Sequence, residues 1–355
     1  MNRENNFDAM RMIAAMVVIF GHAHPLSSQP DPVLLGNSVQ SVAVKIFFVV
    51  SGFLVAKSWR SDPHLGRFLA RRGLRLFPAL AVLLLLTTLV LGPIFTALPL
   101  AEYFQHPGVR QYFIFNLLLS PVYALPGVFA DNIYPNAVNG SLWSLPVEVL
   151  MYLILPVVAT VAALARSRAV FIGIVLIGAA LSLNYVLTTP GPDQVVLWGT
   201  GSVSVADVGP YFFLGAIYAI TRLEGTLNQG GALFVVAIAA LFQPSAYWMQ
   251  QVLLMMVLPY IVLSFSTTAT PWVSKAGRFG DPSYGIYLYG FPVQQALFSV
   301  VGPSMGPLEN TAIAAPIVVL LAYLSWYSVE KRALSYKPSK RPAAVDESSK
   351  EIVKS

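Results

Sequence analysis

The chain has 355 residues, 56% of them hydrophobic and only 11% charged, with a mean hydropathy of +0.67. A soluble domain carries about 25% charged residues, so this surface is not built for water, whereas a bilayer removes that need. The absence of cysteine excludes disulfides, thiolate metal sites and a cysteine nucleophile. The net charge of +6 reads as Lys and Arg enrichment in cytoplasmic loops rather than as nucleic-acid binding.

A span needs roughly 20 mostly apolar residues. It must be helical, because no water in the hydrocarbon core can satisfy the backbone. Long apolar runs, not alternating ten-residue strands, argue against a barrel. Such runs fall near 7–26, 38–57, 76–97, 143–165, 169–187, 206–221, 232–244, 247–267, 283–302 and 311–330. The expected fold is an all-α polytopic membrane bundle of about ten helices. The first run and Gly21-His22-Ala23 weakly resemble a signal peptide, but Asp8 and Arg11 lie inside its helical extension and further spans follow at once. Short Pro- and Gly-marked connections join the spans. No internal repeat and no soluble accessory domain is evident. Residues 1–334 read as one membrane-embedded domain. Residues 335–355 read as a polar, partly disordered cytoplasmic tail, and the basic stretch from Lys331 is placed to meet anionic lipid headgroups.

The charges test this list. With the N-terminus inside, every basic residue of the 22 except Arg110 and Lys45 falls in a cytoplasmic segment. Asp31, Glu102, Asp131, Asp193, Asp207 and Glu309 fall outside. Both termini are therefore expected in the cytoplasm. Residues 98–142 form a long external region. Its apolar patch, 112–123, is expected to be re-entrant or interfacial, since reading it as a span would invert every later loop.

Charged groups inside spans are costly and are functional candidates by default. Arg11 and His22 are eleven residues apart, about 16 Å along a helix and roughly 20° apart around it. They share one face, with Asp8 one turn before Arg11. His22 hydrogen-bonding a neighbouring helix, and Arg11 marking the inner end, is the plainer alternative. His24 points to another face, and His64 and His106 lie in loops. The four histidines have no metal-ligand spacing, so no metal is expected. Around the third span, Arg67, Arg71 and Arg75 repeat at i+4, while Arg72 and Arg75 are three apart. Such a fork suits phosphate oxygens, and topogenic charge explains it equally. Glu148 enters the fourth span behind Asn139-Gly-Ser-Leu-Trp143-Ser-Leu-Pro146. Its partner is expected to be either His22, at similar depth, in a carboxylate–histidine base arrangement, or Lys45.

These segments together resemble the acyltransferase 3 family of bacterial membrane acyltransferases, nearly end to end. Phe7-Asp8-Ala-Met-Arg11 through Gly-His22 is similar to its Arg-x10-His signature, and Phe47-Phe48-Val-Val-Ser51-Gly52-Phe53-Leu54 to its second-span block. Arg72-Gly-Leu-Arg75-Leu-Phe-Pro78, Leu142-Trp143-Ser144-Leu145-Pro-Val-Glu148, Ser283-Tyr284-Gly-Ile-Tyr287-Leu and Ser325-Trp-Tyr-Ser-Val-Glu330-Lys resemble four more. The chain departs at Tyr287-Leu288-Tyr289-Gly290, where many members carry a histidine.

The resemblance implies a bacterial inner-membrane enzyme. It would move an acyl group, acetyl in the expected case, from cytoplasmic acyl-CoA to a hydroxyl of an extracytoplasmic or lipid-linked glycan. It implies a catalytic His22 with functional Arg11 and Glu148. Arg72 and Arg75, with Arg71 beside them, would hold the phosphates of the acyl-CoA. In the mechanism expected, His22 takes the acceptor's proton as it attacks the thioester. Asn139 and Tyr287 are candidate oxyanion donors, and an acyl-histidine intermediate is the less favoured variant. The expected partners are acyl-CoA, the glycan and membrane lipid, with no nucleic acid. A polytopic glycan transporter or flippase is the rival reading, and it predicts repeats.

Overall fold

The computed structural model describes residues 5–189, 191–242 and 244–338, so most of the tail expected to be partly disordered lies outside the described residues. The order is α1 Phe7–Leu26, the hairpin β1 Val33–Leu34 and β2 Asn37–Ser38, α2 Val39–Ser61, and α3 Leu65–Leu86. A π-turn, Thr87–Leu91, carries α3 on into α4 Gly92–Phe95. There follow α5 Leu100–Gln105, α6 Pro107–Leu117, α7 Ser144–Leu164, α8 Arg168–Thr188, the hairpin β3 Val196–Leu197 and β4 Thr200–Gly201, and α9 Ser202–Thr221. The chain closes with α10 Gln229–Leu241, α11 Tyr247–Thr267, α12 Ser283–Val301, α13 Pro307–Ser325, the π-turn Trp326–Glu330 and α14 Lys331–Ser335.

The chain is an all-α polytopic bundle. Among the described residues, eight helical segments are long and apolar enough to cross a membrane. The two other expected spans are present as helices of different character. α10 has 13 residues and rises only about 20 Å, against about 30 Å of hydrocarbon. α12 has 19 residues and buries Gln294 and Gln295 inside the protein, which lowers its hydropathy. The stretch from 112 to 123 is not one helix. It divides between the end of α6 and a turn closed by Asn116, whose amide bonds Tyr112 O, Val122 O and Val122 N.

Helices alternate in direction, so the segments rich in Lys and Arg gather at one end of the bundle, hereafter the basic end. Contacts there include Arg168 Nη1 to Thr221 O at 2.9 Å and Asn6 N to Ser266 O at 2.9 Å. At the opposite end, Thr200 bonds Trp143 O and Trp198 bonds Leu118 O. The charge pattern read along the chain is thus a physical separation between two ends.

α2 and α9 approach backbone to backbone. A Cβ on Gly52 would strike the carbonyl of Phe212, and one on Gly215 would strike the carbonyl of Val49. Small residues at both points let the two backbones touch. The contact is reciprocal, and the hairpins that precede α2 and α9 pair alike, Val33↔Ser38 and Val196↔Gly201. Residues 33 and 196, 38 and 201, 49 and 212, and 52 and 215 all correspond at one constant offset. A helix–hairpin–helix unit therefore recurs at that offset, α1–α2 and α8–α9, and the two units meet at Gly52 and Gly215. This corrects the absence of a repeat read from sequence. Few side chains match across the offset, so the likeness lies in backbone turns and small contact residues.

Candidate active site

The arginines of the third span lie inside the first turns of α3, which begins at Leu65 behind a His64 cap. Helical register then divides them. Arg67 and Arg71 both bond Asp62, at 2.6 and 2.8 Å. These hydrogen bonds, from Arg67 and then Arg71, hold the Asp62 carboxyl well below the usual carboxylate range. Arg72 and Arg75, further round the helix, line a cavity of about 130 Å³ between α1, α2, α3, α7 and α12. Arg11 and Glu148 line the same cavity.

What assembles this cluster is Asp281, which the sequence reading passed over. It lies just before α12, where its Oδ1 accepts from Ser283 N and Oγ. Its Oδ2 is shared between Arg11 Nη1, at 3.1 Å, and Arg75 Nη2. Burial alone would raise the Asp281 carboxyl. Arg75, Arg11 and the Ser283 bonds outweigh it and hold the group well below its ordinary range. Arg11 also pairs with Asp8 at 2.5 Å. Arg75 lies over the Trp326 ring at 5.8 Å, so the segment from Ser325 to Glu330 packs against α3. Arg72 makes no ion pair among the described residues, and its Nε is shut from solvent without a partner. The cavity thus holds one guanidinium with no direct carboxylate contact, opposite the Glu148 carboxylate on the same lining.

Glu148 takes neither expected partner. Its Oε1 accepts from Ser51 Oγ at 3.1 Å and from Tyr152 Oη. Lys45 instead bonds Asp207 at 2.7 Å, Asn37 at 2.7 Å and Ser41 at 3.1 Å. Tyr152 was within reach of sequence, since it stands one helical turn after Glu148.

His22 does not line the arginine cavity. Its ring meets Phe291 edge-on at 5.3 Å, and its Nδ1 is buried without a hydrogen-bond partner among the described residues. His24 is used locally, with Nδ1 on Phe20 O at 3.0 Å. Between the cavity and His22 lies Tyr287, whose hydroxyl meets Ser144 Oγ at 2.6 Å and donates to Ser141 O. Tyr287 lines the cavity and Phe291 is one helical turn further on, so one face of α12 runs from cavity to histidine. Asn139 uses one of its two amide N–H groups on Leu288 O, and its Oδ1 caps Ser141 N. Gly290 has a packing reason, since a Cβ there would lie 3.0 Å from Ile19 Cγ1 of α1. A side chain at that position would require Ile19 to give way.

The model of the acyltransferase 3 family, described as an acyltransferase domain, matches residues 4–329. The chain belongs to that family. The O-acetyl transferase of Shigella phage Sf6 is 36% identical over 346 residues, covering 94% of this chain and 97% of its own. Nodulation protein 10 of Rhizobium leguminosarum bv. viciae is 27% identical over 94% of each chain. The peptidoglycan O-acetyltransferase OatA of Listeria monocytogenes is 24% identical over 81% of this chain and 50% of its own length. No solved structure matches. The acyltransferase 3 protein described here is an integral membrane acyltransferase that moves groups other than aminoacyl groups.

Proposed function

We propose that the protein transfers an acetyl group from acetyl-CoA to a hydroxyl of an envelope glycan, across the bacterial inner membrane, with the basic end in the cytoplasm. The observation that carries this reading is the Arg72 guanidinium, which makes no direct ion pair among the described residues, beside two arginines already fixed by Asp281. A bound phosphate gains a charge-assisted bond there without breaking an existing ion pair. Arg75 and Arg11 supply field, and Arg71, held on Asp62, stands outside the cavity as an outer basic contact. The O-acetyl transferase of phage Sf6 supports an acetyl group, and the peptidoglycan O-acetyltransferase of Listeria supports a glycan acceptor.

The donor's pantetheine arm would run from Arg72 past Glu148, Ser144 and Tyr287 towards His22. His22 accepts the acceptor hydroxyl's proton as that oxygen attacks the thioester carbonyl. The carbon–oxygen bond forms, the carbon–sulfur bond breaks, and the proton passes to the departing thiolate. The Tyr287 hydroxyl, which lines the cavity, is the candidate to steady the oxyanion, and it would turn from Ser141 O to do so. Glu148, fixed by Ser51 and Tyr152, orders the wall of the channel and faces Arg72 across it.

The test is reconstituted protein with radiolabelled acetyl-CoA and envelope glycan isolated from its host. Ester-linked label on the glycan, dependent on the protein, is the expected result. Label that stays on coenzyme A under all conditions, or leaves only as free acetate, would sink glycan transfer.

A further inference from the structure

A second cleft, of about 580 Å³, opens beside Tyr123, Tyr134, Asn136, Trp143, Gln194 and Ser204. We infer that this cleft is the acceptor subsite and that it takes an uncharged sugar unit. The inference rests on the glycan-transfer reading above and adds where the acceptor sits and of what class it is.

Position comes first. Trp143 lines this cleft, and the next residue, Ser144, lines the arginine cavity. The turn Gly140–Trp143 is therefore the partition between the two chambers. On the cleft side, Tyr134 meets Phe291 edge-on at 6.3 Å, and a Cβ on Gly140 would lie 2.7 Å from the same ring. The ring of Phe291 touches His22 at 5.3 Å. A ligand in the cleft lies one aromatic ring away from the free imidazole.

Chemistry comes second. The lining is aromatic rings, amides and a hydroxyl, with no Asp, Glu, Lys, Arg or His among the described lining residues. Pyranose rings present apolar C–H faces that pack on aromatic faces, and equatorial hydroxyls that bond amides. A uronate or phosphate would lose hydration here with no opposite charge to replace it.

The wall is also built in advance. Gln295, fully buried on α12, donates to Tyr134 O at 2.8 Å and Ala137 O at 2.7 Å, and accepts from Asn132 Nδ2 at 2.8 Å. Asn136 holds a left-handed backbone, φ 61°, which turns the loop over the cleft. A loop pinned by a buried amide keeps Tyr134 in place before ligand arrives, which lowers the cost of binding.

The experiment uses full-length protein in nanodiscs with acetyl-CoA and isolated envelope glycan. Tyr134 is 45% exposed, so Tyr134→Ala should insert and fold. It should raise the acceptor KM at least tenfold, leave acetyl-CoA binding unchanged, and be rescued by Tyr134→Phe, which keeps the ring. Mass spectrometry of the product should place the ester on a neutral sugar. Unchanged acceptor KM in Tyr134→Ala, with active wild type, overturns the cleft alone. Esters found solely on uronic-acid or phosphorylated units overturn the neutral class. Wild type that labels no glycan overturns the glycan reading and this inference with it.

Discussion

Lys45 and Arg72 are both cations drawn into the bundle, and the protein treats them oppositely. Lys45 is fully buried, and its ammonium meets Asp207, Asn37 and Ser41. All three of its donors are occupied, so it has nothing left to offer a ligand. It ties the β1–β2 hairpin to α9 instead. Arg72 lies beside anchored neighbours and makes no ion pair of its own among the described residues. The same contrast divides the histidines, since His24 is bonded to Phe20 O whereas His22 has a buried nitrogen without a partner. An intramembrane polar group is costly in either case. What separates a structural one from a ligand-binding one is whether the fold has already filled its hydrogen-bonding capacity.

The sharpest way to break this comparison is at the histidines. Loss of a positioned base typically costs about 10²–10⁴-fold in rate. His22→Ala should lose that much in single-turnover acyl transfer while inserting normally and binding donor, and His24→Ala should stay within a few-fold of wild type. Near-normal transfer by His22→Ala with an inactive His24→Ala would mean that the occupied histidine is the working one.

Next in size is the Lys45 pair. Removing one partner of a buried ion pair costs about 3–5 kcal/mol, so Lys45→Ala should sharply lower thermal stability. Donor affinity of the protein that remains folded should not move. The double variant Lys45→Met/Asp207→Leu should recover much of the stability, because apolar packing replaces both charges. A Lys45→Ala protein of normal stability with impaired donor binding would reverse the roles given to the two cations.

Arg72→Ala should have the opposite signature: little change in stability and a donor affinity weakened by about 1.5–3 kcal/mol, the scale of a hydrogen bond to a charged group. Arg72→Lys should rescue in part, lacking the planar fork. Isothermal titration of reconstituted protein with acetyl-CoA measures both. Unchanged affinity in Arg72→Ala would leave the arginine as topogenic charge.

Much of this was legible along the chain. α1, α7, α8 and α11 have the bounds that hydropathy gives within a residue or two, because each is a long apolar run between Pro, Gly or charged breaks. The Arg11–His22 face, the Arg72–Arg75 pair and Glu148 were visible because helical spacing alone sets which residues share a face or a turn. What escaped was azimuth between helices. Glu148 and His22 were matched by depth, yet Glu148 points towards Ser51 and Tyr152, and Lys45 points towards Asp207. Asp281 escaped for a related reason: it meets Arg11 across most of the chain's length, and a lone Asp before Pro-Ser reads as a helix cap. Its first oxygen does bond Ser283 at the start of α12, but its second holds the arginines. The duplicated α1–α2 and α8–α9 units escaped because what they share is turns and small contact residues, which leave a faint trace in side-chain identity.

The smallest expected effect is a flat line. The folded Asp281 carboxyl lies well below its ordinary range because Arg75 and Arg11 outweigh its burial. A group with a depressed folded pKa contributes stability that is fully present above its unfolded value, about 3.9, and is lost as pH falls through the folded value. Between pH 8 and pH 5 the carboxyl is therefore ionised in both states, and its contribution does not change. Asp281→Asn removes the charge that binds Arg11 and Arg75, so its melting midpoint should fall below that of wild type by the same amount at pH 8 and pH 5. The gap should narrow only below about pH 4, where the unfolded wild-type chain takes up a proton that the folded one still refuses. Midpoints of both proteins at pH 8, 5 and 3.5, in one detergent and one salt, make the comparison. A gap that already closes between pH 8 and pH 5 would mean that Asp281 titrates in that range. The shared carboxylate would then not be the fixed anion that keeps Arg11 and Arg75 occupied and leaves Arg72 as the free one.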